Sequence, residues 1–101
     1  MKKEIFQQYV ADITTTFGLT QEELFSKNRS RQIVDARWML YYVCIENPMP
    51  KPFLQQYMKN SGLNVSHTNI LYGYRKAKEL IDEDYDYKAI VDNILNKYEN
   101  N

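Results

Sequence analysis

The stretch Pro52-Phe-Leu-Gln-Gln-Tyr-Met-Lys-Asn60, Ser61-Gly62-Leu-Asn-Val65, Ser66-His-Thr-Asn-Ile-Leu-Tyr-Gly-Tyr-Arg-Lys-Ala-Lys-Glu-Leu-Ile81 sets the architecture of the chain. Pro52 can be the first residue of a helix, because its missing N–H would have no partner in the first turn anyway. Phe53, Leu54, Tyr57 and Met58 then recur at helical spacing toward a core, and Ser61-Gly62 supplies a turn. Ser66 caps a longer helix, His67 to about Ile81, with Ile70, Leu71, Tyr74, Ala77 and Ile81 directed inward. Short helix, glycine turn and longer helix make the pattern of a helix-turn-helix over about residues 52–81.

The same periodicity extends to both ends. Ile5, Tyr9, Ile13 and Phe17 lie four residues apart and predict a helix over about 3–16, stopped by Gly18. Thr20-Gln-Glu-Glu23 is a capping box that opens a short helix through Leu24 and Phe25. Ser26-Lys-Asn-Arg-Ser-Arg31 has no apolar residue and is expected as an exposed loop. A third helix follows over about 32–46, burying Ile33, Ala36, Leu40, Val43 and Cys44. Asn47-Pro-Met-Pro-Lys-Pro52 ends it, since prolines remove donors and push their predecessors into extended geometry. A last helix over about 86–98 turns Ile90, Val91, Ile94, Leu95 and Tyr98 to one side. No stretch alternates over strand length, and no repeat, low-complexity tract or linker divides the chain. The expectation is one all-α domain over residues 1–101 with about six helices.

Composition narrows the classes of function. The chain has 101 residues, one Cys and one His, so Cys44 has no internal disulfide partner and a zinc site would need several carboxylates. No apolar run approaches the roughly 18 residues of a membrane span, and the N-terminus has no apolar signal segment. A cytoplasmic protein with no metal and no cofactor is expected. The 13 basic and 13 acidic side chains cancel overall but are segregated. Residues 24–78 carry +7, residues 1–23 carry −2, and residues 79–101 carry −5. A basic face of this kind attracts polyanions whatever the net charge, although charge alone fits an ordinary solvated surface equally well.

No nucleophile, base or metal cluster suits catalysis, and a non-enzymatic role is expected. Asp82, Glu83, Asp84 and Asp86 crowd together between two helices, where they favour the start of the second. Cys44 sits on an apolar stripe, and Tyr9, Tyr57, Tyr74 and Tyr98 fall on core stripes rather than on a stacking surface. His67 is more informative. Ser66-His67-Thr68-Asn69 stands at the start of the second helix of the helix-turn-helix, the place from which side chains reach base edges. Histidine and asparagine hydrogen-bond to bases, and a threonine methyl packs on thymine. The loop 26–31 and the cluster Arg75-Lys76-Ala-Lys78 would add phosphate or minor-groove contacts.

Ser26-Lys-Asn-Arg-Ser-Arg-Gln-Ile-Val34, Ala36-Arg37, Ser66-His-Thr-Asn-Ile-Leu-Tyr72 and Arg75-Lys76 resemble the C-terminal duplex-binding domain of the bacterial replication initiator DnaA over roughly residues 5–82. That family joins a capped short helix, a Ser-Lys-x-Arg-x-Arg loop and a long helix to a Trp-repressor-like helix-turn-helix, whose second helix opens Asp-His-Thr-Thr-Val-Leu-His. The resemblance implies that Arg29 enters a minor groove. It places His67, Thr68 and Asn69 at the major groove and Lys27, Arg31 and Arg37 on phosphates. Several positions depart from the pattern. Ser66 stands for Asp, Val65 for Arg, Asn69 for the second Thr and Leu63-Asn64 for Gly-Gly, and a Pro common in the first helix of the motif has no counterpart. Ser66 either contacts a base or is only a cap. The implication therefore covers fold and duplex binding rather than the initiator's own target box.

The chain contains no Gly-x-x-x-x-Gly-Lys-Ser/Thr loop, so ATP binding in that manner is not expected. Met1-Lys-Lys and the acidic last helix look like natural ends, which favours a free-standing protein of a kind suited to a phage or mobile element. Two functions follow. The first is a sequence-selective double-stranded DNA-binding protein that regulates replication or transcription. The second is a protein-interaction module that keeps the fold without the DNA site, with the acidic last helix as docking surface. They are separated by whether Arg29, Arg31, His67 and Lys76 share one face.

Overall fold

Thr20 and Glu23 form the capping box that their spacing predicts: the Glu23 amide donates to Thr20 Oγ1 at 3.0 Å and the Thr20 amide donates to Glu23 Oε1 at 2.9 Å. In the computed structural model, which describes residues 2–47 and 49–99 with Tyr98 and Glu99 as backbone only, local chemistry of this kind punctuates six helices. They are α1 (Lys2–Phe17), α2 (Gln21–Leu24), α3 (Arg31–Glu46), α4 (Lys51–Asn60), α5 (His67–Glu83) and α6 (Tyr85–Glu99). The described residues contain no strand. Pro48 and the side chain of Tyr98, expected to end α3 and to join the stripe of α6, lie outside the described residues.

Gly18 and Gly62 end α1 and α4 in the same way. Both have positive φ, +67° and +116°. After each glycine the next amide reaches back to the first carbonyl of the last turn, Leu19 to Thr14 at 2.9 Å and Leu63 to Met58 at 3.0 Å. Each glycine amide also donates one residue further on, to Thr15 and Lys59. This is the Schellman arrangement, which needs a residue free of the Cβ penalty.

The expected helix starts shift by a residue or so. Lys51 rather than Pro52 opens α4, with Pro50 as N-cap, because the second helical position is as free of an amide partner as the first. Helix α5 runs two residues past Ile81. The acidic connector shrinks to Asp84, whose Oδ1 accepts from the Asp86 and Tyr87 amides at 2.9 and 3.1 Å and so caps α6.

The centre of the molecule is α3, which packs against all five other helices. It accordingly buries Met39 and Tyr41 in addition to the five residues its stripe predicted. It approaches α5 tightly at Gly73, where a Cβ would stand 2.6 Å from Tyr41 Cδ2 and 2.7 Å from Trp38 Cδ1. Only hydrogen fits there. Phe53, expected inward, is 47% exposed, because α4 directs Leu54 and Met58 into the core and leaves Phe53 beside Tyr57 at the edge. Helix α6 buries Tyr87, Val91 and Ile94. It is tied to α3 by Tyr87 Oη donating to the Asp35 carbonyl at 2.7 Å, and to α1 by Lys97 and Asp12 at 3.3 Å.

Candidate nucleic-acid interface

The loop between α2 and α3 is exposed but locally braced. Ser26 Oγ donates to the Glu23 carbonyl at 2.7 Å and accepts from the Asn28 amide at 3.2 Å, while Asn28 Oδ1 accepts from the Ser30 amide at 2.7 Å. Side chains that bond the backbone two residues on impose turns of this kind. Arg37 on α3 holds the loop from below, donating to the carbonyls of Leu24, Ser26 and Asn28 at 3.0, 2.6 and 3.4 Å. Burial lowers the pKa of this guanidinium below its ordinary value, and the neighbouring charge of Arg29 adds to the shift. The bracing leaves Lys27, Arg29 and Arg31 projecting into solvent.

The first turn of α5 stands across from this loop. Ser66 Oγ accepts from the Asn69 amide at 3.1 Å, which confirms Ser66 as N-cap. Ser66, His67, Thr68 and Asn69 are all exposed. Between loop and helix lies a groove of about 500 Å³ whose lining includes Lys27, Arg29, Arg37, Asn64, Asn69 and Tyr72. A second concavity, of about 420 Å³, adjoins it and brings Arg29 and Arg31 to one wall with Lys76. Arg29, Val34 and Trp38 line both.

Three of the four residues that discriminate the two functions thus share one concavity, and His67 lies two residues before Asn69 in the adjoining one. Ser66, His67, Thr68 and Arg75 are exposed along α5 without lining either groove. The cluster of residues 75–78 is divided by the helix. Lys76 lies over the Tyr72 ring on the groove side, 5.6 Å from its centroid. Lys78 lies over Tyr74, which stacks on Tyr42 at 5.2 Å and donates to Glu46 Oε2 at 2.6 Å.

Sequence reasoning missed Trp38 and Tyr72 as groove residues. Their rings meet edge-on at 6.1 Å, and Tyr72 is 47% exposed. The available signal was the spacing of Asn69, Tyr72 and Lys76 by three and four, which puts them on one side of α5. It also missed the tethering by Arg37, for which the sequence carries no local sign. No described helix is long and apolar enough to cross a membrane.

These features define a small all-α domain in which a braced basic loop and a capped helix start share a concave face. Over most of its length the chain resembles replication initiators. It is similar to two proteins named chromosomal replication initiator protein DnaA, one from Sulfurimonas denitrificans and one from Corynebacterium jeikeium. The first is 33% identical over 89 residues, 85% of this chain and 19% of that protein. The second is 30% identical over 82 residues, 79% of this chain and 13% of that protein. The chain therefore spans less than a fifth of the length of these relatives. No protein-family model matches it.

Proposed function

We propose that this chain is a non-catalytic, sequence-selective double-stranded DNA-binding domain acting in replication or transcription control, with α4 and α5 as its helix-turn-helix. The observation that carries the reading is the groove between the loop bearing Arg29 and the start of α5, which is lined by cations and neutral groups with no carboxylate. A protein that sends an arginine into one minor groove and a helix start into the adjacent major groove must straddle the sugar-phosphate strand between them. The groove is the seat for that strand. Arg29 would then read a narrow A·T-rich minor groove, His67, Thr68 and Asn69 would meet base edges, and Lys27 and Arg75 would meet phosphates, with Arg31 and Lys76 flanking the strand from the adjoining concavity. Arg37 contributes mainly by holding the loop. Similarity to two replication initiators supports the same reading.

The test is a titration of random-sequence duplex at increasing salt. If about five to seven phosphates are neutralised, log affinity falls against log salt with a slope of roughly −4.5 to −6. A flat response would overturn the reading and favour the protein-interaction module.

A further inference from the structure

The two concavities that share Arg29, Val34 and Trp38 differ in charge. The larger presents Lys27, Arg29 and Arg37 with no carboxylate among its lining. In the smaller, Arg29, Arg31 and Lys76 are matched by Asp35, Glu79 and Glu83. The first has a formal charge of +3 and the second of zero. Two of the cations in the second already have anionic neighbours: Lys76 Nζ is 3.6 Å from Glu79 Oε1, and Arg31 Nε is 3.6 Å from Asp35 Oδ2. Glu83 is exposed one turn beyond Glu79.

We propose that Glu79 and Glu83, together with Asp35, are specificity-determining residues that close the second groove to phosphate and confine the DNA strand to the first. The proposal rests on the DNA-binding reading above. A phosphate entering the second groove must displace a carboxylate from Lys76 or Arg31 while lying within a Debye length, about 8–10 Å, of further negative charge. Duplex that matches the base-reading residues is held in one register, with its strand in the acid-free groove. Random duplex docks in many registers, and those that use the second groove are penalised. The acidic wall therefore widens the gap between matched and unmatched sites at small cost to the matched one.

The wall is built into α5 and the N-terminal part of α3, so it can be tested without disturbing α6. Truncating α6 would remove Tyr87, Val91 and Ile94 from the core, whereas Glu79 and Glu83 are exposed and tolerate neutralisation. The experiment compares wild type, Glu79→Gln/Glu83→Gln and Asp92→Asn. Asp92 is on α6, outside both grooves. Each is titrated with random duplex and with a duplex selected from a random pool by the wild type, and each is melted to verify folding.

The double variant should bind random duplex about two- to five-fold more tightly at low salt, with the gain shrinking as salt rises. Its gain on the selected duplex should be smaller, and Asp92→Asn should stay close to wild type on both. A folded double variant with unchanged affinity for random duplex, or one that gains no more than Asp92→Asn, overturns the proposal. If the wild type itself binds no duplex, the DNA-binding reading fails in the first arm and the acidic wall falls with it.

Discussion

Arg37 reaches back eleven residues to donate from Nη2 to the carbonyl of Ser26 at 2.6 Å, so the position of the basic loop is set by the central helix beneath it. A partly buried arginine that satisfies several carbonyls is difficult to replace, because lysine offers a point charge in place of a planar fork. Arg37→Lys should therefore leave the helices in place while loosening the loop. Amide hydrogen exchange at residues 26–30 should accelerate, and duplex affinity should fall although the net charge is unchanged. Unaltered exchange in a folded variant would remove the tethering role.

Gly73 tests the packing of α3 on α5. Alanine is favoured over glycine by about 1 kcal/mol within an exposed helix. Here the added methyl would meet the rings of Tyr41 and Trp38 at 2.6 and 2.7 Å, and overpacking of a filled core typically costs about 1–3 kcal/mol. Gly73→Ala should lower the melting temperature by several degrees, at about 4–8 °C per kcal/mol for a domain of this size. A higher Tm would show that the two helices can part without penalty.

Positioning and reading should separate by mutation. Arg29→Ala should weaken binding to every duplex, most of all where an A·T-rich minor groove is narrow, and should make the salt slope shallower by about 0.9 for each phosphate that Arg29 neutralises. His67→Ala and Thr68→Ala should mainly reduce discrimination between sites, by about 1–3 kcal/mol for a good base contact. Equal weakening on selected and random duplex for all three variants would contradict these roles.

Ser66 carries a cap whose contribution is measurable. Removing the acceptor for the Asn69 amide in Ser66→Ala should cost about 1 kcal/mol of stability. Ser66→Asp keeps the cap and restores an acceptor suited to a cytosine amino group. Selection from a random duplex pool should then show a firmer preference at one position. Identical preferences for wild type and Ser66→Asp would assign this residue a structural role alone.

Alkaline stability follows from the buried phenols. Burial pushes the Tyr41 hydroxyl up to about 12, with the charge of Arg37 opposing the shift, and burial likewise raises Tyr87 and the Cys44 thiol. A pKa raised on folding means that the native state holds its proton more tightly. The resulting stability is present in full below the unfolded value near 10 and is lost as the pH climbs from there toward 12. For Tyr41 the decrease is on the order of 2–3 kcal/mol. Denaturant midpoints should be flat up to about pH 8, decline first as the thiol of unfolded chains ionises and more steeply once the phenols follow, and Tyr41→Phe should make the decline above about pH 9 shallower.

The local features of the fold were legible in the chain because they depend on residues within one turn of each other. The Thr20–Glu23 box, the Ser66 cap and the glycine stops at 18 and 62 each close hydrogen bonds over no more than five residues, and helical spacing marked most of the core. The exposed loop and the start of α5 followed from the same reasoning. Spacing alone could not say which neighbour a helix face would meet. Lys76 and Lys78 are two residues apart, yet one faces the groove and the other lies over Tyr74, on the side of Tyr42. Phe53 ceded its place in the core to Leu54 for a similar reason, since the rotation of α4 is set by what it packs against. The close approach at Gly73, the tether from Arg37 and the concavity that brings Arg29 and Arg31 to Lys76 all join separate elements of the chain. They arise only when α3 is enclosed on every side, and burying its surface fixes the register of the other helices around it.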